Sequence, residues 1–167
     1  MGNCGDYRLD HLNGDEPPRL EFLCAVHVVM SEPVDIGCVT AGRRLVTVAE
    51  HGRLEGPRLR GRILPGLNTT MLLRPDSIVE TEGHLLIEMD DGERVRGLVS
   101  GLRWMSAEGE HELAEGRPYD PSWLHSRSMM RFEAAMDGPY AWLTRDFYLV
   151  KATRMVDGVD ATVWRIM

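Results

Sequence analysis

Residues 52–66 read GRLEGPRLRGRILPG, and this stretch restricts the possible folds more than any other part of the chain. An amphipathic helix repeats its apolar side chains at a spacing of about 3.6. Leu54, Leu59, Gly61 and Ile63 do not follow that spacing. From Leu59 onward the period is two, with Leu59, Gly61 and Ile63 on one face and Arg58, Arg60 and Arg62 on the other. Pro57 has no backbone donor, which predicts a bulge or an edge there. Gly56 and Gly61 suit close backbone approach or the sharp curvature of a small closed barrel. Pro65-Gly66 ends the run. The stretch describes a scaffold and not a chemistry.

The remainder has the same grain. Arg19 to Met30 predicts a strand with Leu20, Phe22, Cys24, Val26 and Val28 on one side and His27 on the other. A short extended piece follows with Val34 and Ile36 inward, then a strand from Leu45 to Glu50 and a turn at His51-Gly52. Asp90-Asp91-Gly92 predicts a hairpin between Ile78–Met89 and Glu93–Leu102. Ser106 to Arg117 reads as a short surface helix. Tyr119 to His125 reads as a second helical turn or ordered lid, with Trp123 packed beneath. Further strands are expected at Arg127–Ala134, Leu143–Ala152 and, past an Asp157-Gly158 turn, Val159–Ile166. These elements predict a mainly β chain: a polar tail over residues 1–18, then one closed antiparallel barrel over 19–167 with one or two short helical segments.

Composition excludes several function classes. Lys plus Arg number 19 against 26 Asp plus Glu, a net charge of -7, which disfavours nucleic acid and anionic membrane as partners. No apolar run approaches a membrane span, and the first residues lack a secretory pattern, so a cytoplasmic protein is expected. Cys4, Cys24 and Cys38 form no disulfide framework or metal spacing, and the six histidines show no HxH or HExxH. Motifs of the GxGxxG, GxxxxGKS and GxSxG type are absent, which disfavours a Rossmann, P-loop or α/β-hydrolase enzyme, and neither a cofactor nor a metal is expected.

Several segments, in order, resemble a bacterial and fungal family catalogued as domain of unknown function 3237. They are Arg19-Leu20-Glu21-Phe22, the stretch 52–66, Arg74-Pro75-Asp76, Asp90-Asp91-Gly92, Arg127 with Phe132-Glu133, and Tyr140-Ala141-Trp142-Leu143. The resemblance spans about residues 19–166 and implies a calycin-like barrel with an internal cavity. It also implies ring closure or isomerisation, without a cofactor, of a hydrophobic, oxygenated, polyketide-like substrate. One departure is prominent: Thr69 and Thr70 stand where members carry an Asp-Trp pair.

The candidate site residues follow from both lines. Arg127, Met129, Arg131 and Glu133 share one strand face. If that face points inward, Glu133 is a proton-transfer group and Arg127 steadies negative charge on the substrate. Glu82 and His84 are the alternative acid–base pair. Thr69, Thr70, Arg74, Tyr140 and Trp142 are expected to contact a small hydrophobic or aromatic oxygenated ligand. A non-catalytic, lipocalin-like carrier and a purely structural barrel are the competing readings, and a homodimer is expected.

Overall fold

The computed structural model describes residues 16–155 and 158–167. The expected tail therefore lies almost wholly outside the described residues, as does Asp157 of the last expected turn. Among the described residues there are ten strands: β1 Leu20–Met30, β2 Val34–Val39, β3 Gly42–Glu55, β4 Arg60–Leu64, β5 Asn68–Leu73, β6 Val79–Met89, β7 Arg94–Met105, β8 Leu124–Glu133, β9 Tyr148–Arg154 and β10 Gly158–Ile166. One helix, α1 at Ala107–Ala114, and a helical turn at Pro121–Trp123 lie between β7 and β8, in the region where helix was expected.

All pairings are antiparallel, and a β1–β3 ladder closes the sheet. Both β4 and β5 pair with β3 on one side and β6 on the other, so they serve as two halves of one strand. Likewise β1 and β2 run in succession along β3. The result is a closed barrel of eight strand positions. Closure leaves few free edges, the main liability of an all-β chain.

The organising stretch behaves as a curved hairpin. An added Cβ at Gly56 would run into the Leu23 carbonyl, and one at Gly61 would crowd the backbone of Glu88 and Met89. Leu59 and Ile63 are buried, whereas Arg60 and Arg62 are exposed. Arg62 donates to Glu88, which also accepts from Arg94, so one carboxylate on β6 links the outer faces of β4 and β7. Both guanidiniums hold the Glu88 carboxyl below its usual range. Arg58 leaves this stripe and stacks on Trp142, 3.9 Å from the ring centroid.

Two bulges decide which side chains point inward. His51-Gly52 is not a turn: β3 runs straight through it. Between the pairs Val29–His51 and Met30–Ala49 the register slips, leaving Glu50 extra. That slip lets Leu54 below and Ala49 and Thr47 above all be buried. A second slip between Phe22 and Cys24 inserts Leu23, so Leu20 and Phe22 end up exposed while Cys24 and Val28 are buried. A uniform alternation from Leu20 to Val28 is thereby corrected. Val34 and Ile36 are also exposed; among the described residues β2 pairs only with β3. Residues 141–145 form a helical turn, so the strand expected from Leu143 begins at Tyr148. Trp123 is exposed and not packed beneath a lid.

The core fills one end of the barrel, here the lower end. Phe132 meets Tyr148 edge-on at 4.9 Å, and the Tyr148 hydroxyl donates to the Leu143 carbonyl at 3.2 Å. Leu54, Leu59, Ile87, Met89 and Val95 pack around them. Cys24 belongs to this cluster, and burial pushes its thiol up to about 12. Iodoacetamide at pH 8 is therefore expected to modify exposed Cys38 and spare Cys24 until the chain unfolds. Peptide mass spectrometry checks this, and equal labelling of both would contradict the packing.

Candidate functional site

Above the plugged lower end the inward side chains become small. Along β6 and β7 the inner face carries Thr81, Gly83 and Val99, and along β8, β9 and β10 it carries Ser126, Ser128, Ala152 and Ala161. Small side chains on facing strands leave space, and the result is a cavity of about 550 Å³. That volume lies within the usual range for small-molecule sites, about 300–1,000 Å³. Val26, Val28, Leu85, Met130, Val150 and Val163 supply apolar wall. The hydroxyls of Thr47, Thr69, Thr81, Ser126 and Ser128 interrupt it. Thr47 is committed structurally, since its hydroxyl donates to the Ser31 carbonyl at 2.8 Å.

The mouth is electrically lopsided. Glu32 and Glu50 stand on the β1–β3 side and are exposed. Arg103 and Arg154 line the β7–β9 side. Arg103 lies directly across from Ser126 on β8 and Val79 on β6. Burial lowers the Arg103 guanidinium from its ordinary value, and the charge of Arg154 lowers it further, while Tyr119 and Glu110 oppose this through space. The β7–β8 connection is fastened to this side of the mouth, where the Tyr119 hydroxyl donates to the Arg154 carbonyl at 3.2 Å. Among the described residues no group of three His, Cys, Asp or Glu side chains gathers as a metal set.

Of the residues expected from sequence, Thr69 lines the cavity. Arg127 and Glu133 do not. Ser126, Met130 and Phe132 form the buried face of β8, and Arg127, Arg131 and Glu133 face solvent. The alternation was legible and its phase was reversed, because burying three charged side chains costs far more than burying serine and phenylalanine. Glu133 accepts from Arg96 on the outside at 3.0 Å, and Arg127 donates to the Ser126 carbonyl at 2.8 Å. Glu82 and His84 alternate with the inward Thr81, Gly83 and Leu85 and do not line the cavity. Thr70 lies opposite Glu82, away from the cavity lining. Arg74 is tied to Asp76 and Glu80 in the β5–β6 turn. Tyr140 and Trp142 sit at the closed lower end, where Tyr140 donates to Asp91 at 3.0 Å and Trp142 lies under Arg58. The residue that sequence reasoning missed is Arg103. Its signal was present: Val95, Gly97, Val99, Gly101 and Arg103 keep one period-two face.

Comparison with known proteins places this geometry. A UPF0311 protein of Bradyrhizobium diazoefficiens is 30% identical over 135 residues, covering 77% of this chain and 87% of that protein. A conserved protein of unknown function from Rhodopseudomonas palustris has a crystal structure that matches with a TM-score of 0.83 at 25% identity, over 92% of this chain and 100% of the other. The crystal structure of an enzyme from Penicillium herquei matches with a TM-score of 0.69 at 17% identity, over 93% and 98% of the two chains, a likeness of fold alone. The family model described as "Protein of unknown function (DUF3237)" matches residues 18–166, and the chain belongs to that family.

Proposed function

We propose that the barrel binds one small, hydrophobic, oxygenated molecule in its upper cavity. One observation carries this: the lower half is plugged by Phe132, Tyr148 and Leu143, while the upper half is kept open by small residues. A barrel with a merely structural task gains stability by filling both halves, since unfilled volume forfeits packing. The hydroxyls favour a ligand that bears oxygen, and the aliphatic wall favours an apolar body. Native mass spectrometry with 2-naphthol as probe is expected to show one molecule per chain, lost on unfolding. A bare chain mass at saturating probe would count against the reading.

A second reading gives the same cavity catalysis: cofactor-independent ring closure or isomerisation. Its support is the hydroxyl belt, which can position a substrate oxygen, together with the rim carboxylates Glu32 and Glu50, which suit proton transfer. The Penicillium enzyme shares this fold, an analogy of architecture alone. Binding stands first because the cavity's apolar wall is the larger feature.

We also propose that two copies pair through the outer faces of β1, β10 and β9. There Leu20 lies beside Ile166, Phe22 beside Trp164, and Trp164 beside Leu149, which in turn neighbours Met129 on β8. Phe22 is 45% exposed and Met129 40% exposed, so the register assembles a continuous apolar patch from residues that look scattered in sequence. Beyond it, Glu55, Ala25, Thr162 and Lys151 lie in one row across β3, β1, β10 and β9. A twofold axis along the strands, between β1 and β10, sets apolar patch on apolar patch and Lys151 of each copy against Glu55 of the other. Sedimentation velocity is expected to give a dimer for the natural chain and a monomer for Phe22→Glu/Trp164→Glu. A monomeric natural chain would remove the proposal.

A further inference from the structure

We infer that the ligand carries an anionic oxygen group, a carboxylate or an enolate- or phenolate-type oxyanion, received at the mouth by Arg103 with Arg154 beside it. This rests on the binding reading above and names the chemical class of its ligand. Arg103 sits on the inner face of β7 between Ser126 and Val79, partly buried, and it lines the cavity. Among the described residues no carboxylate pairs with it, and Glu110 acts on it only at a distance. On the outer face and in the turns of this barrel, by contrast, several arginines are neutralised within the chain even though they are more open to water. Arg62 and Arg94 share Glu88, Arg74 holds Asp76 and Glu80, and Arg165 holds Asp146. A guanidinium removed from water without a counter-charge is costly. A second arginine on the same wall raises that cost, as burial and Arg154 together depress the Arg103 guanidinium. An anionic ligand group relieves both terms, and the planar guanidinium matches a carboxylate in a two-point hydrogen bond.

The two sides of the mouth set the orientation. Glu32 and Glu50 repel an anion from the β1–β3 side, so the head lies toward β7, β8 and β9. Ser126, across the ladder from Arg103, is placed to donate to the same oxygen, and the apolar remainder points down toward Met130 and Val150.

The test uses three probes with one apolar body: octanoate, 1-octanol and octylammonium. Isothermal titration of the natural chain is expected to rank octanoate about tenfold or more above 1-octanol, the scale of a hydrogen bond to a charged group, with octylammonium weakest. Arg103→Met is expected to erase the preference for octanoate while leaving 1-octanol within about twofold of its original affinity. Arg103→Lys is expected to keep part of the preference. Equal affinities for octanoate and 1-octanol in the natural chain would overturn the inference and leave the cavity reading standing. An undiminished preference in the Arg103→Met/Arg154→Met double variant would do the same. Absence of binding by all three probes would overturn the cavity reading and this inference with it.

Discussion

Thr81→Phe combined with Ala161→Phe is expected to weaken ligand binding by about 10²-fold or more and to leave the barrel folded. β6 and β10 lie four positions apart in a closed ring of eight, so the two new rings enter the cavity from opposite walls. Both positions line the cavity, and Ala161 pairs with the small Ala152 and with Val26. The added volume goes into empty space and does not press on a packed core, so the overpacking penalty of about 1–3 kcal/mol does not apply in full. The expected loss in 2-naphthol affinity is about 10²-fold or more, equivalent to about 3 kcal/mol. Calorimetric titration measures it, with circular dichroism to verify that the sheet is retained. Unchanged affinity would mean that the probe binds elsewhere.

Tyr148→Ala is expected to destabilise the chain more than any substitution in the cavity wall, by about 3–5 kcal/mol. The Tyr148 side chain is fully buried, packs edge-on against Phe132 at 4.9 Å and donates to the Leu143 carbonyl at 3.2 Å. Removing the ring opens a hole at the point where three elements meet: β8, β9 and the helical turn at 141–145. Tyr148→Phe removes only the hydroxyl and leaves the Leu143 carbonyl short of a donor, at a cost of about 1 kcal/mol. Urea denaturation separates the two. Similar midpoints for both variants would show that the ring's packing contributes little and that the hydrogen bond dominates. Because Tyr148 lies below the cavity, ligand affinity in Tyr148→Phe is expected to stay near that of the natural chain.

The barrel was legible because the period of two persists through nearly every strand and because the breaks are chemical. Asp90-Asp91-Gly92 forms the β6–β7 turn with Gly92 at φ 89°, a backbone region that suits glycine. The phase of individual strands was less legible. On β8 both faces mix polar and apolar residues, Ser126, Ser128, Met130 and Phe132 against Arg127, Met129, Arg131 and Glu133. Weighing the charges would have chosen the first set as the inner one. The bulges at Leu23 and Glu50 leave no mark in composition, since each is a single extra residue inside an apolar or alternating run. Phe22 illustrates the consequence: in the run it reads as core, and one inserted residue turns it to the surface.

The site was legible in kind and not in detail. The resemblance pointed to a cavity, but a cavity is made by what is missing from an inner face, such as Gly83, Ala152 and Ala161. Small residues are also what ordinary strands and turns contain. Tyr140 and Trp142 drew attention as large aromatics, yet in this chain they help seal the closed end. Of the residues singled out from sequence Thr69 lines the cavity, while Arg103 was passed over because the strand was read as ending at Leu102.

The most direct measurement is a fluorescence titration with 1-anilinonaphthalene-8-sulfonate, an apolar body with an anionic head, run on the natural chain and on Thr81→Phe/Ala161→Phe. The natural chain should bind one probe per chain with saturation, and the filled variant should show no saturable binding. No binding by the natural chain, or equal binding by both, would contradict a ligand-holding barrel.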